Sequence, residues 1–349
     1  MMRNDGVFVV AEMSGNHNGS LERALRIVDA AAEAGVDALK LQTYTADTMT
    51  LDTRSGNFLI KDPSSLWCGR TLYELYCEAA MPWEWHEPIL KRCRERGIIG
   101  FSTPFDVSSV DFLEKLGVPI YKIAAFENGD IPLLKRVAAT GKPVILSVGL
   151  IGPEEIAEAV AVLEREGSGP VSLLKCTSVY PAPPEASNLL TIPDMQKRFP
   201  QCGIGLSDHT KGIGVALGAI ALGAQIIEKH FTLSRRDGGV DSAFSAEPQE
   251  MAQLVVEGRR VAAARGTVCY ALSEAEQKSL IFRRSVYICE DIPAGGFFTE
   301  RNIRCIRPGD GLHPRYYEAV LGKRASRKLE RGKPLLAEDV KGFRPLSDK

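Results

Sequence analysis

The stretches Gly203-Ile-Gly-Leu-Ser-Asp-His-Thr210 and Ala224-Gln-Ile-Ile-Glu-Lys-His-Phe-Thr232 each begin apolar and end polar. Residues 203–206 and 225–227 are short and almost continuously apolar, which is how a strand covered on both faces reads. The same texture recurs at 7–11, 38–41, 98–101, 120–123, 144–146 and 171–174. Longer amphipathic stretches lie between these runs. The segment from Leu21 places Leu21, Ala24, Leu25 and Val28 on one face. The segment from Pro153 does so with Ile156, Val160 and Leu163, and Pro153, Glu154 and Glu155 are helix-start signals. Eight such strands alternating with helices over about 230 residues predict an α/β fold, a (β/α)8 TIM barrel. A doubly wound open sheet competes, but no GxGxxG opens the first strand-to-helix turn.

Working outward, the chain has 349 residues, 44% hydrophobic and 25% charged, with a net charge of −1. These values suit a globular protein and supply no field to attract nucleic acid or an acidic membrane. No apolar run reaches the ~18 residues that a membrane span requires. Eight cysteines are scattered with no CxxC pair. They read as reduced thiols, and with no secretory leader apparent at the start the expectation is a cytoplasmic protein. After Gly266 the texture shifts to short strands and Gly-rich turns. The expected organisation is a catalytic barrel over 1–265, a linker over 266–283 with a capping-box helix near Ser273, and a small domain over 284–349. Leu329-Glu-Arg-Gly-Lys-Pro-Leu echoes Asp291-Ile-Pro-Ala-Gly-Gly-Phe.

Barrel chemistry gathers at the carboxyl ends of the strands. Polar residues fall there in all eight: Glu12; Lys40 and Gln42; Thr103; Lys122 with Glu127 after it; Ser147; Thr177 to Tyr180; Ser207 and His209; Glu228 and His230. Lys40 and Lys122, buried in strands, require an anion or carboxylate between them. They read as internal ion-pair partners, as a Schiff-base former, or as phosphate binders. Thr103, Ser147 and Ser207 supply hydroxyls that suit a phosphate or carboxylate. His209 and His230 end adjacent strands and could share a metal, or could be satisfied hydrogen bonders. Glu228-Lys229 reads as a local ion pair. His86 and His313 read as surface or interface residues. Trp67, Trp83 and Trp85 read as packing or as a sugar-stacking platform.

Several longer strings resemble the sialic acid synthase family. They are Ala11-Glu-Met-Ser-Gly-Asn-His-Asn-Gly19, Lys40-Leu-Gln-Thr-Tyr44, Tyr121-Lys-Ile123, Lys175-Cys-Thr-Ser-Val-Tyr-Pro-Ala-Pro183, Gly205-Leu-Ser-Asp-His-Thr210 and Glu228-Lys-His-Phe-Thr232. The tail around Ile306-Arg-Pro-Gly-Asp-Gly-Leu312 resembles that family's antifreeze-like (SAF) domain. Leu66-Trp-Cys-Gly-Arg-Thr-Leu-Tyr-Glu-Leu-Tyr76, Pro82-Trp-Glu-Trp-His86 and Gly238-Gly-Val-Asp-Ser-Ala-Phe-Ser245 are most like the branch that makes pseudaminic acid. The resemblance implies a transferase that joins phosphoenolpyruvate to the aldehyde of a 2-acetamido sugar. The expected sugar is 2,4-diacetamido-2,4,6-trideoxy-L-altrose, with N-acetylneuraminate or legionaminate precursors as alternatives. It implies Mn²⁺ or Mg²⁺ (Co²⁺ being possible) on His209 and His230, and a homodimer with swapped small domains. It assigns Lys40, Thr103, Lys122, Ser147 and Ser207 to phosphoenolpyruvate, Glu12 to catalysis, and Gln42, Tyr180 and Asp241 to the sugar, with Arg307 arriving from the partner; Glu127, read from its place after the fourth strand, is added to the sugar site. Trp67 and Arg70, on a loop after the second strand, are added as an apolar wall and an acetamido donor. Ala125 stands where the family usually has Ser, and Val148 where Thr is frequent, so a weaker hold on phosphoenolpyruvate is expected. Two readings of other classes compete: a Schiff-base aldolase and a non-catalytic carbohydrate-binding protein.

Overall fold

The structure is a computed structural model that describes residues 6–63, 65 and 67–345. Leu66 of the loop string and the domain ends 1–5 and 346–349 lie outside the described residues. The chain divides into two compact units, Met1–Gly266 and Thr267–Lys349.

In the first unit, eight parallel strands close on themselves. They are β1 (Phe8–Glu12), β2 (Ala38–Thr43), β3 (Ile99–Pro104), β4 (Tyr121–Ile123), β5 (Val144–Ser147), β6 (Val171–Cys176), β7 (Gly203–Asp208) and β8 (Ile226–His230). Each pairs with its successor, and β8 closes on β1 with Val9 opposite Ile227. This is the expected TIM barrel. Most strands run past their apolar stretches into polar residues. The backbone ladder continues wherever a neighbour is present, whereas hydropathy stops where side chains begin to face a cavity.

The connecting helices start at readable caps. The Ser20 side chain accepts from the Arg23 N–H (3.2 Å), Asp106 from the Ser109 N–H (3.1 Å) and Asp130 from the Leu133 N–H (3.1 Å). In the helix Pro153–Arg165, Pro153 occupies the first turn and Glu155 accepts from the Gly152 N–H at 3.0 Å.

The barrel interior explains the site. Val10, Phe101, Ile120, Ile145, Leu174 and Ile226 form a buried plug inside the strands. A large plug side chain contributes about 1.5–3 kcal/mol on burial. Side chains alternate faces along a strand, so the residue two places beyond each plug residue returns to the interior. Those residues are Glu12, Thr103, Lys122, Ser147, Cys176 and Glu228. Gly205 of β7 is small because a Cβ there would lie 2.4 Å from the Ile226 carbonyl oxygen and 2.6 Å from Leu174 Cδ2.

His86 differs from its expected surface position. It is fully buried, with Nε2 2.8 Å from Thr43 Oγ1 and Nδ1 3.1 Å from the Trp83 carbonyl oxygen. It opens the helix His86–Glu95, whose buried face includes Ile89, Leu90 and Cys93. Burial lowers its pKa to about 4. His313 is half-buried beside Arg283 at 3.3 Å.

The second unit has its own core, including Val286, Ile288, Phe298, Ile303, Leu312, Val320 and Leu335. Its β9 (Ser285–Ile288) pairs antiparallel with β10 (Ile303–Ile306). The two echoing stretches meet there, with Ile292 bridged to Leu329. A short helix, Glu274–Ser279, carries the capping box between Ser273 and Glu276.

Candidate active site

At the carboxyl ends of the strands lies a cavity of about 580 Å³. Its floor is charged. Lys40 Nζ contacts Glu12 Oε1 at 2.6 Å, donates to Thr103 Oγ1 at 3.1 Å and lies 3.8 Å from Glu228 Oε1. Lys122 Nζ lies 3.3 Å from the same Glu228 oxygen, to which Ser207 Oγ donates at 3.3 Å. Gln42 Nε2 donates to Glu12 Oε1 at 2.7 Å. All of these except Gln42 are buried. Two ammoniums and two carboxylates therefore compensate one another inside the barrel. Burial opposes ionisation of Glu12, but Lys40 and then Lys122 overcome it and hold its pKa at about 2. Burial also opposes the charge on Lys40, and Glu12 and Glu228 more than offset it, so its pKa is raised.

The two histidines stand at one side of this floor. Their ring centroids are 5.3 Å apart. His209 Nδ1 lies 2.9 Å from the Thr177 carbonyl oxygen, and His230 Nε2 lies 3.8 Å from Glu12 Oε2. Burial lowers the His230 pKa to about 3, which keeps the ring neutral. His230 Nδ1 is buried without a hydrogen-bond partner. Among the described residues no three His, Cys, Asp or Glu side chains form a metal cluster. The pair itself suits a divalent ion: one imidazole is oriented by a backbone carbonyl, as metal-binding histidines commonly are, and the other has an idle buried nitrogen. Tyr180 packs against His209 with centroids 4.3 Å apart.

Further polar atoms point the same way. Ser147 Oγ, Glu228 Oε2 and Glu127 Oε2 are buried without partners, and all three residues line the cavity. Buried polar atoms are normally bonded, so a set of orphans in one cavity marks where a ligand would bind. Burial raises the Glu127 pKa to about 7, against the lowering effect of Lys122. Asp241 accepts from Ser14 Oγ at 2.5 Å and from the Gly15 N–H at 3.2 Å. Part of the cavity wall is aromatic, with Tyr44, Tyr76, Phe105, Phe126 and Trp67 among the lining residues. The Ala125 methyl lines the cavity, where the Ser178 hydroxyl is also present, and the Val148 N–H is engaged by the Leu174 carbonyl at 2.9 Å.

Most of the expected site residues converge on this cavity: Glu12, Lys40, Gln42, Trp67, Lys122, Glu127, Ser147, Tyr180, Ser207, His209, His230 and Asp241 all line it. Thr103 reaches it through Lys40. Arg70 does not line it. Its guanidinium pairs with Glu78 at 2.7 Å and donates to the Glu74 carbonyl at 3.1 Å, because the following helix, Leu72–Ala79, presents those acceptors. Arg307 is exposed in the second unit, directly after β10. The tryptophans divide: Trp67 lines the cavity, Trp83 stacks on Phe112 at 4.6 Å and Trp85 meets the His17 ring edge-on at 5.7 Å. Glu228 and Lys229 are not paired with each other. Glu228 faces inward to the two lysines, and Lys229 pairs with Asp208 at 2.8 Å. Glu228 was placed on the rim but read as a local ion pair, and the places of Cys176 and Tyr44 in the site were not read from the sequence. Their signal was period-2 register with Ile226, Leu174 and Lys40.

Comparison with known proteins agrees with this architecture. The NeuB family model matches residues 27–270, and the SAF domain model matches residues 283–341. A pseudaminic acid synthase of Campylobacter jejuni is 40% identical over 96% of this chain and 97% of its own length. One from Helicobacter pylori is 38% identical over 95% and 97%. The solved N-acetylneuraminic acid synthetase of Leptospira borgpetersenii, in complex with citrate, superposes with a TM-score of 0.71 at 35% identity. That alignment covers 79% of this chain and 91% of that one. With its barrel, its charged floor and these matches, the chain belongs to the NeuB family.

Proposed function

We propose that the chain is a pseudaminic acid synthase. It condenses phosphoenolpyruvate with 2,4-diacetamido-2,4,6-trideoxy-L-altrose and water, giving pseudaminate and phosphate by C–O cleavage. The observation that carries this reading is the union, in one cavity, of two buried lysines, an ionised Glu12, a histidine pair and an aromatic wall. The 38–40% identity to pseudaminic acid synthases supports the choice of sugar.

Lys40, Lys122, Thr103, Ser147 and Ser207 would hold the phosphate and carboxylate of phosphoenolpyruvate, with Ser147 Oγ idle until it binds. The enol C3 attacks the sugar aldehyde carbon. The Glu127 carboxyl, its pKa raised by burial to about 7, is suited to give a proton to the aldehyde oxygen. Glu12, ionised beside Lys40, steadies the positive charge that develops at C2 and orients the water that adds there. The water gives up both protons, one returning to Glu127 and one leaving with the phosphate, which departs with its bridging oxygen and leaves the ketone. A divalent ion, Mn²⁺ or Mg²⁺, on His209 and His230 would supply Lewis acidity toward the aldehyde oxygen. Tyr44, Tyr76, Phe105 and Trp67 would face the sugar's 6-methyl and acetamido groups. The raised Lys40 pKa disfavours a Schiff base, which requires a neutral amine.

Arg307 completes the proposal. It is exposed outside the barrel unit, and the apolar side chains of Val268, Tyr270 and Phe282 are also exposed. Both facts fit a homodimer in which Arg307 of one chain serves the partner's cavity. The deciding experiment offers phosphoenolpyruvate, ¹⁸O-labelled at the bridging oxygen, with each candidate sugar. Label in the phosphate and pseudaminate identified by NMR are expected. Unlabelled phosphate, or an equal preference for N-acetylmannosamine, would overturn the proposal.

A further inference from the structure

We propose that the buried Asp208–Lys229 ion pair is a positioning device that aims His209 and His230 at a shared divalent cation. This rests on the reading that these two imidazoles bind one.

Asp208 and His209 are adjacent in the chain, as are Lys229 and His230. Ser207, His209, Glu228 and His230 line the cavity, so alternation places Asp208 and Lys229 on the outer face of the barrel wall. There the two are register partners of β7 and β8. Lys229 Nζ donates to Asp208 Oδ2 at 2.8 Å and to the Thr210 carbonyl oxygen. Asp208 Oδ1 accepts from both the Thr210 N–H (2.9 Å) and its hydroxyl (2.8 Å). All three residues are buried, Asp208 at 2% and Lys229 at 1% exposure. The backbone on both sides of His209 is thereby tied to the residue before His230. From the other side, the Ala182 N–H holds the His209 carbonyl at 3.0 Å.

Stability alone does not account for such a pair. Replacing a buried ion pair with apolar residues of similar volume is often neutral or stabilising, because desolvation offsets the attraction. What the pair adds is directional. It fixes the angle and separation of two strand ends at the point where both rings leave the wall, and groups that orient metal ligands typically change metal affinity 10- to 100-fold.

The test compares wild type with the double variant Asp208→Leu/Lys229→Met, and with Asp208→Asn in case the double variant fails to fold. Mn²⁺ affinity is read by electron paramagnetic resonance, imidazole environments by ¹⁵N NMR, and stability by thermal unfolding. Phosphoenolpyruvate binding is measured in the presence of chelator. The expected result is Mn²⁺ binding weakened about 10- to 100-fold in a folded variant. The histidine ¹⁵N resonances should be altered, and chelator-insensitive phosphoenolpyruvate binding retained. A folded variant that binds Mn²⁺ as tightly as wild type would overturn the positioning role. Wild type that binds no Mn²⁺ would instead overturn the cation reading beneath it.

Discussion

Replacing Glu228 with glutamine should make the empty enzyme less stable and increase the stabilisation that phosphoenolpyruvate confers. Glu228 Oε1 lies 3.3 Å from Lys122 Nζ and 3.8 Å from Lys40 Nζ, all of them buried. At an effective dielectric of about 20, the nearer pair is worth roughly 5 kcal/mol before desolvation is counted. Lys40 keeps Glu12 at 2.6 Å, so Lys122 is the charge left exposed to the loss. Breaking a buried pair from one side costs about 3–5 kcal/mol. At about 2–4 °C per kcal/mol for a unit of this size, a 3 kcal/mol loss lowers Tm by about 6–12 °C. Phosphoenolpyruvate brings its own negative charge to the same lysines. At about 100 times its Kd a ligand stabilises wild type by about 2.7 kcal/mol, and the variant should gain more. Thermal unfolding of both proteins, with and without phosphoenolpyruvate, measures this. An unchanged Tm of the empty variant, or a ligand shift smaller than that of wild type, would refute the role of Glu228 as the counter-charge that phosphoenolpyruvate joins or relieves.

Four further outcomes are expected. Chelation should abolish activity and Mn²⁺ restore it, and His209→Ala should lose that response; wild-type metal dependence in the variant would exclude His209 as a ligand. The Glu127 pKa is raised to about 7 in the fold from 4.5, so its protonated form is the one the fold favours. The resulting stability is complete below 4.5 and lost as pH rises through about 7, and kcat should fall over the same upper range. Glu127→Gln, unable to ionise, should lack that alkaline limb, and a pH–rate profile with the limb intact would assign it elsewhere. Trp67→Ala should erode discrimination between the 6-deoxy diacetamido sugar and N-acetylmannosamine by about 5- to 150-fold, a difference of 1–3 kcal/mol. Arg70→Ala should leave it unchanged, given the pairing of Arg70 with Glu78, and comparing kcat/KM for the two sugars checks both. Mixing inactive Arg307→Ala with inactive Glu12→Gln should regenerate activity once subunits exchange, and silence from proven heterodimers would exclude a trans role.

The barrel was legible because eight buried strands must each be apolar over a few residues, and nothing but a closed or doubly covered parallel sheet hides them all. The rim was legible for a related reason: a polar residue at the end of such a strand faces a cavity or a partner, and in one dimension the two look alike. Glu12, Lys40, Lys122, His209 and His230 could therefore be chosen by type and position. Which of them touch was not readable. Glu228 and Lys229 are neighbours in sequence yet lie on opposite faces of one wall, and each is paired across strands, Glu228 with Lys40 and Lys122 and Lys229 with Asp208. His86 looked like a surface residue because one polar letter carries no record of the fold around it; the structure buries it against Thr43. Arg70 looked free because its acceptor, Glu78, approaches only when the next helix turns back toward it. Composition, period and local chain direction determine elements and faces, since these depend on near neighbours in the chain. Pairings, burial and charge balance belong to the tertiary structure, since they depend on residues brought together only when the barrel closes.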